Sequence, residues 1–516
     1  MRRGLTAAVA ALMLVTAGCF GVTAPDSTDD PVTTASPLTT SPPPNDTQPT
    51  ESPPPDPTPT PSPVPPDPTE DRLAWENGYW YNESISVDRS DGLNDTELDA
   101  VVSRAMARVE EIRRLEFEEQ VPVTVISREQ FAASRTGRNY STRDRLHQNT
   151  KWEAMFVVNE STDALETQES NRAASVGGFY NPASEQIVVV SENTTSPKLD
   201  EITLAQELFH ALQGQVFDAY DQPWYPGRTQ EAHKTADGVI EGDGNYVDYL
   251  YEQRCGGAWD CLPPEESPGG DTRDINVGMF QVTFQPYSDG PVLVRQLREE
   301  EGWEAVNDLY ENPPASTEQV IHPEKYGEDP PDYPTVEDAS SGGWEVLEMG
   351  EGRIDYASFG EAGLATMMWY PSFVESSRAG QPQNVVVGYT DHLNVQDGGE
   401  LRAIDPYNYD FPVTEGWDGD RLVPYVTNGS AETGETGYVW KINWDSAADA
   451  AAFVEGYESL LSYHGAKPAG DRANAYRVPE GGFADAFHVR QDGDTVTIVN
   501  APTVEDLGDV HAPAGE

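Results

Sequence analysis

The chain has 516 residues, of which 89 are acidic and 32 basic, so its formal net charge at neutral pH is -57. The 11 Trp and 23 Tyr residues exclude a wholly disordered chain, and the negative field, which repels nucleic acid, excludes a nucleic-acid-binding function. An acidic excess of this size predicts a protein of a halophile, in which molar salt screens the self-repulsion; a merely acidic secreted protein is the alternative.

The first residues have the pattern of an export signal. A basic pair, Arg2-Arg3, precedes an apolar run over 5–17 that is too short to span a bilayer, which needs about 20 residues. The run ends in Val-Thr-Ala-Gly-Cys19, which resembles a lipobox, where cleavage before the cysteine frees its thiol for lipid attachment. We expect a signal peptide at 1–18, a lipid anchor at Cys19 and a location on the extracellular face of the cell membrane. Simple secretion after cleavage is the alternative.

Residues 19–70 form a predicted tether. The stretch 21–70 holds 17 of the 42 prolines of the chain, mixed with Thr, Ser and Asp. Such a composition cannot bury a core and favours an extended, disordered chain that holds the folded part away from the membrane. Sequons for N-glycosylation, expected to be modified in an exported glycoprotein, occur at Asn45, Asn82, Asn94, Asn139, Asn159, Asn193 and Asn428.

The folded region begins with elements that lead to one chemically suggestive helix. Apolar periodicity predicts a helix over 95–115, and alternation predicts strands over 121–127 and 186–191, with a turn at 178–182 between them. A helix over about 200–218 follows. It contains Gln206-Glu207-Leu-Phe-His210-Ala-Leu-Gln213, in which residues four apart face the same way.

This helix resembles the His-Glu-x-x-His helix of zinc metallopeptidases. In that family the two histidines bind Zn²⁺ and the glutamate removes a proton from the metal-bound water. The resemblance implies that Glu207 is the general base and His210 the second histidine. Gln206 stands where the first histidine is expected.

A second predicted helix, over 235–252, extends the resemblance to the gluzincin branch. There a glutamate from a later helix is the third ligand, and a polar residue four positions on orients the site. The resemblance therefore implies that Glu241 is a metal ligand and that Asn245 orients the site without binding the metal itself. It also implies that strand 186–191 is the edge strand over the site, where an extracellular protein or peptide pairs by strand addition.

A group of haloarchaeal surface lipoproteins and related bacterial exported proteins is similar in this arrangement. Segments 314–326 and 439–446 look like later landmarks of the same group. The resemblance implies an α+β chain with a zincin-like metallopeptidase fold over 71–330, followed by additional C-terminal α/β elements over 331–516.

The C-terminal region gives element predictions without a motif. Strand 438–444 precedes a helix over 446–464 that Asp445 is expected to cap, and Asp492-Gly493 predicts a hairpin within 487–500.

Two cysteines besides Cys19 lie six residues apart, at Cys255 and Cys261. An even pair in an exported chain predicts a disulfide that closes a small loop. The alternative is a pair of metal ligands, but the spacing is not typical of zinc sites and no second cysteine pair completes one.

The glutamine at position 206 decides the functional prediction, because a neutral amide oxygen is a poorer zinc ligand than imidazole. Three outcomes are open: a labile zinc site, a site completed by another histidine such as His233 or His322, or an empty site. We therefore predict a cell-surface lipoprotein whose metallopeptidase-like domain is degenerate, being non-catalytic or weakly metal-binding. An active extracellular zinc metallopeptidase with Glu207 as base is the alternative, and a solute-binding lipoprotein is a third interpretation.

Overall fold

The computed structural model describes residues 64–135, 140–175, 178–191, 193–262, 275–470 and 472–512. Helices and mostly antiparallel strands alternate irregularly along these residues, which confirms the predicted α+β class. The predicted signal peptide, Cys19 and nearly all of the tether lie outside the described residues. Within the described part of the chain, no helix is both long and apolar enough to cross a membrane.

The elements before residue 330 are mainly helices, together with a two-stranded and a three-stranded sheet. In chain order they are β1 (Trp75–Glu76), β2 (Tyr79–Trp80), α1 (Asp95–Arg113), β3 (Val123–Ile126), α2 (Arg128–Arg135), α3 (Thr142–Ala154), α4 (Ala164–Ser175), β4 (Gly178–Asn181), β5 (Gln186–Val190), α5 (Glu201–Phe217), α6 (Gln230–Glu252), α7 (Val277–Glu301), α8 (Trp303–Asp308) and α9 (Thr317–Ile321). The side chain of Asn94 accepts hydrogen bonds from the backbone of Thr96 and Glu97, and Glu97 accepts one in return. This capping box fixes the start of α1 where the sequence predicts it.

The small sheet has the strand order β3-β5-β4. β5 is its central strand, parallel to β3 and antiparallel to β4, so the prediction that strand 186–191 is the edge strand over the site is wrong. The edge strand that contacts α5 is β4, which occupies the predicted turn at 178–182. Phe179 and Tyr180 pair with β5 there because aromatic side chains favour a half-buried strand over a turn.

Buried ion pairs fix α1 against α5 and α6. Arg104 and Arg108 of α1 are fully buried and contact the buried carboxylate of Glu201, in the first turn of α5, at 3.0 and 2.5 Å. Arg113 contacts the buried Asp243 of α6 at 3.0 Å. Because a buried charge must be paired, these contacts specify how the three helices meet.

Close packing against α7 holds α6 from its other side. A Cβ atom on Gly242 would lie 2.7 Å from the backbone of Gly290 in α7, and one on Gly238 would lie 2.8 Å from Val320 in α9. Both glycines are needed because any side chain would push the helices apart. α6, the helix that carries Glu241, is therefore held by tight contacts.

The C-terminal part is built on a seven-stranded antiparallel sheet with the order β6-β7-β8-β12-β11-β10-β9. Its elements are β6 (Glu345–Val346), α10 (Gly360–Ala379), β7 (Trp417–Val426), α11 (Ser430–Thr433), β8 (Gly437–Trp444), α12 (Ala447–Tyr463), β9 (Lys467–Pro468), β10 (Ala475–Arg477), β11 (Ala486–Asp492), β12 (Thr495–Ala501) and α13 (Leu507–Val510). The predicted hairpin is present as β11 and β12. The predicted cap of α12 is wrong by one residue: Ser446, not Asp445, accepts from the backbone of Ala448 and Asp449.

The largest hydrophobic cluster includes residues from both sides of the predicted boundary at 330. Met155 and Val282, from the first region, belong to the same cluster as Trp369, Trp440 and Phe453. A second cluster lies between α1, α5, α6 and the small sheet, and it surrounds the helix pair with the predicted site. The division into 71–330 and 331–516 stays a prediction.

Candidate functional site

The structure brings His210 of α5 and Glu241 of α6 into direct contact. Nε2 of His210 lies 3.3 Å from Oε2 of Glu241, and both side chains are largely buried. Gly244, one turn after Glu241, makes room for the imidazole, because a Cβ atom there would lie only 3.1 Å from Cε1 of His210. Two residues that the sequence predicts as metal ligands therefore face each other across the helix pair.

Gln213 fixes the tautomer of His210. The side-chain nitrogen of Gln213 donates to the carbonyl of Ile240 at 2.9 Å and to the hydroxyl of Tyr310 at 2.7 Å. Its Oε1 therefore faces Nδ1 of His210, at 2.8 Å, and Nδ1 must carry the proton. This leaves Nε2, the nitrogen beside Glu241, free of the tautomeric proton.

The chain of hydrogen bonds continues to a buried ion pair. Tyr310 donates from its hydroxyl to Oδ2 of Asp243 at 2.9 Å, and Asp243 accepts from Arg113. The direction of each hydrogen bond from Gln213 to Arg113 is fixed, because each group can act in only one way here. The assignment of the proton to Nδ1 of His210 is consistent with all of them. A ring nitrogen held in this way from behind is typical of histidines that bind metals.

Glu207 lies beside this pair beneath the edge strand. Its Oε2 accepts a hydrogen bond from the backbone N–H of Tyr180 in β4 at 2.6 Å, and the side chain is buried. Burial raises the pKa of Glu207, the positive charge of His210 opposes that rise, and Glu241 adds to it. A raised pKa makes the Glu207 carboxylate a stronger base than an exposed glutamate, which is the direction that general-base catalysis favours.

The electrostatics of His210 and Glu241 favour a cation between them. Burial lowers the pKa of His210, but the Glu241 carboxylate, with smaller contributions from Glu207 and Gln213, outweighs this effect and raises the pKa to about 10. Oε2 of Glu241 has no partner other than His210 among the described contacts. Either a proton on Nε2 or a metal ion satisfies this arrangement.

The spacing of the pair fits two zinc ligands. Two donor atoms each about 2.1 Å from a tetrahedral zinc lie roughly 3.4 Å apart, close to the observed 3.3 Å. In the described part of the chain, no third His, Cys, Asp or Glu brings a ligand atom within 4.8 Å of both. His210 and Glu241 would hold the metal. The sequence predicts Gln206 as a weak or lost third ligand, and this stays a prediction.

Gln206 lies one helical turn before His210 and is fully buried. Asn245 donates from its side chain to the backbone carbonyl of Glu241 at 2.9 Å, so it supports the ligand-bearing turn of α6. Neither alternative histidine completes the site. His233 contacts the carbonyl of Pro226 and the carboxylate of Asp237, and His322 lies 3.0 Å from Glu361 in another part of the core.

Other polar residues at this helix pair are not predicted by the sequence motif. Gln213 lies three residues after His210, so helical spacing could have indicated it, whereas its contact with Tyr310 depends on the tertiary fold. Asp248 lies two turns after Glu241 and is buried; its pKa is raised by burial and by Asp200, and lowered by the nearby His210. Tyr220 is close enough to Glu241 for that carboxylate to contribute to its raised pKa, after burial.

A family model described as a domain of unknown function (DUF8575) matches residues 345–511. The match covers the elements from β6 to α13, that is, the seven-stranded sheet with its helices, and includes none of the residues of the α5–α6 pair. No curated protein and no solved structure matches the chain.

Cys255 and Cys261 form the predicted disulfide, with their Cα atoms 5.3 Å apart. This bond confirms the pairing and removes both thiols as metal ligands. Within the loop, Trp259 packs against Tyr251 and under Arg108, and Asp260 contacts Arg104 and Arg108. The disulfide loop therefore closes over the buried charges that anchor α5.

Two acidic groups elsewhere in the described residues have the spacing of metal ligands. Glu318, Asp329 and Asp445 surround the ammonium of Lys325 at 2.6 to 3.2 Å, so a residue of the chain already supplies their cation. The second group is Glu153, Glu160 and Asp485. There, burial raises the pKa of Asp485 to about 7 and also raises the pKa of Glu153.

Proposed function

We propose that the chain is a cell-surface lipoprotein that carries a degenerate metallopeptidase-type site between α5 and α6, which binds zinc weakly and does not hydrolyse peptides. The surface location rests on the lipobox-like segment and the proline-rich tether, and the disulfide agrees with export. The zincin-like character of the first region belongs to the same proposal. It is supported by the order of the edge strand, the motif helix and the helix with Glu241.

The observation that carries the proposal is the contact between Nε2 of His210 and Oε2 of Glu241 at 3.3 Å. Gln213 orients the histidine from behind, and the glutamate oxygen has no other partner among the described residues. This orientation presents Nε2 to Glu241 as a metal ligand requires, and measuring zinc binding distinguishes a metal from a proton on Nε2. Weak binding follows from Gln206, because its amide replaces a much better imidazole ligand.

The contacts of Glu207 disfavour peptide hydrolysis at this site. Zinc, when bound, supplies a Lewis acid and acidifies its water. Glu207 would have to accept the proton, yet one of its oxygens is committed to the backbone N–H of Tyr180 at 2.6 Å. A general base that is held by the strand on which substrate should pair is poorly placed for proton transfer.

The active extracellular metallopeptidase remains the second candidate function. The raised pKa of Glu207, caused first by burial, favours it because a raised pKa makes the carboxylate a stronger base. Its substrate would be an extracellular protein or peptide.

Restoring the missing histidine tests the proposal. We expect wild-type protein in molar salt to bind zinc weakly in a competition titration with a chromophoric chelator. Gln206→His should tighten zinc binding at least about tenfold, because an imidazole replaces an amide, and His210→Ala should abolish binding in either background.

Gln381→His is the matched control, since it adds a histidine at an exposed position outside the site. Equal zinc affinity of Gln206→His and Gln381→His would contradict a metal site at this helix pair. Hydrolysis of a casein substrate by wild-type protein, lost in Glu207→Gln, would replace the non-catalytic proposal with the second candidate.

A further inference from the structure

A cavity of about 290 Å³ lies at the N-terminal end of α6. Its walls come from three segments that are distant in sequence: α3, the turn before α6, and the loop over 349–357. Along α6 it lies about 16 Å from Glu241, because eleven residues at about 1.5 Å rise separate Gln230 from that glutamate. The cavity is therefore separate from the candidate metal site.

The charge of the cavity is opposite to that of the chain. Its lining includes Lys151, Arg228 and Arg353 together with His147, and no acidic residue. Over the whole chain, acidic residues outnumber basic ones by 89 to 32. Asp144 contacts Arg353, and Asp355 is close enough to His147 to raise its pKa; both carboxylates lie outside the lining, and the three basic side chains outnumber them.

Two buried groups in the wall have unused hydrogen-bonding capacity. Lys151 is 8% exposed, and its ammonium donates one hydrogen bond, to the side chain of Gln230 at 3.2 Å. The ammonium also lies over the Trp152 ring, 4.7 Å from its centroid. Since an ammonium carries three donors, one hydrogen bond and one ring contact still leave a donor of Lys151 for a ligand. His147 is 7% exposed, and its Nε2 has no hydrogen-bond partner among the described residues. A buried cation with spare donors is costly unless a ligand pairs with it.

A second cavity, of about 390 Å³, adjoins the first. The two share Arg228, Thr229 and Tyr356. The wall of the second is mainly apolar and aromatic, with Trp224, Tyr333 and several prolines. A cationic chamber beside an apolar one, each of the size that small molecules occupy, selects a ligand with an anionic end and an apolar end.

We propose that these adjoining cavities bind a small organic carboxylate, with its carboxylate at Lys151 and its apolar part against Trp224. The exposed guanidinium groups of Arg228 and Arg353 stand at the rim, where they attract the anion without having to be desolvated. A monoanion fits better than a phosphate dianion. One buried ammonium balances one charge, and the negative field of the chain penalises a second.

Thermal unfolding of the purified chain at constant ionic strength tests the proposal, with phenylacetate, acetate and inorganic phosphate as probes. A ligand that binds only the folded state raises the unfolding midpoint. Phenylacetate should raise it most, acetate less, and phosphate should have no effect beyond that of added salt. Lys151→Met should weaken phenylacetate binding at least about tenfold, because a charge-assisted hydrogen bond is lost.

Two further variants keep the test decisive. Arg228→Gln, at an exposed position, should also weaken phenylacetate binding, and it replaces Lys151→Met in the test if that variant does not fold. Trp224→Ala should weaken the binding of phenylacetate but not that of acetate. Lys441→Met is the control lysine, in β8 and outside both cavities. The proposal is overturned if phenylacetate acts no differently from salt, if phosphate stabilises as much as phenylacetate, or if both cavity variants respond like Lys441→Met.

Discussion

Nδ1 of His210 lies 2.8 Å from Oε1 of Gln213, on the same helix and one turn away. The amide of Gln213 cannot flip, since its nitrogen serves both the Ile240 carbonyl and the Tyr310 hydroxyl. The imidazole therefore faces Glu241 in one tautomer and one orientation. A ring fixed in this way can bind a metal ion through Nε2 without first having to reorient.

Replacing Gln213 should therefore weaken zinc binding although Gln213 would not touch the metal. In Gln213→Leu we expect a loss of about 10- to 100-fold in zinc affinity, measured both alone and in the Gln206→His background. The variant should also lose about 1–3 kcal/mol of stability, because the Tyr310 hydroxyl and the Ile240 carbonyl lose a buried partner. Gln215→Leu, on the same helix but bonded to the backbone of Glu118, is the control. Unchanged zinc affinity in Gln213→Leu would refute this role.

Gly244→Ala should separate zinc binding from stability. The new methyl group would lie 3.1 Å from Cε1 of His210, so the ring must move away from Glu241 by a few tenths of an ångström. Zinc affinity should then fall about tenfold. The free energy of unfolding should change little, because the gain of about 1 kcal/mol for alanine over glycine inside a helix offsets the cost of displacing the ring. Urea denaturation measures the stability and the chelator titration measures the zinc affinity. Gly398→Ala is the control, because a Cβ atom there meets nothing within 4 Å. A loss of stability that parallels the loss of zinc affinity would contradict the prediction.

Helical spacing was sufficient to predict part of this site from sequence. The four-residue interval between Gln206 and His210 and the position of Glu241 on the next long helix follow from periodicity and from the resemblance. The contact between His210 and Glu241 also needs Gly242 and Gly244. Their role depends on what packs against α6, namely Gly290 and the imidazole itself. A sequence pattern shows where glycines lie but not what approaches them.

The incorrect predictions for the turn at 178–182 and the edge strand at 186–191 have a common physical cause, which is that strand pairing overrides local propensity. Gly178 and Asn181-Pro182 suggest a turn, but Phe179 and Tyr180 gain more from pairing with β5. The N–H that reaches Glu207 is a backbone group, so no residue type could have indicated it. The cationic cavity likewise joins α3 to the loop over 349–357, segments that no local pattern connects.

The buried ion pairs of Glu201 should contribute far more to the free energy of unfolding than ion pairs at the surface do. Glu201→Ala leaves Arg104 and Arg108 buried without their shared carboxylate, and we expect a loss of about 3–5 kcal/mol. Glu111→Ala removes the partner of the half-exposed Arg114, and there the loss should be about 0–1 kcal/mol. Urea denaturation of both variants in molar salt makes the comparison. Similar losses would show that Asp260 alone is sufficient to balance the two arginines.

Lys151 should make stability depend on pH between about 7 and 10.5. Burial, with a smaller contribution from Lys234, lowers the pKa of Lys151 from 10.5 to about 7. Above pH 10.5 the amine is neutral in both states and costs nothing. As the pH falls toward 7 the unfolded chain takes up a proton that the folded chain does not, so stability decreases, by an amount on the order of 3–5 kcal/mol.

Lys151→Met removes this titration, so the free energy of unfolding of the variant minus that of wild type should grow as the pH falls from 10 to 7. Urea denaturation at pH 7, 8.5 and 10 measures it. The other charged or titratable groups near this amine are His147, the rim arginines Arg228 and Arg353, and the Lys234–Asp237 pair, and the variant retains them. Saturating phenylacetate should shrink the difference, because a bound carboxylate stabilises the ammonium in the folded state. Parallel profiles of wild type and variant would mean that Lys151 is charged and already balanced in the free protein.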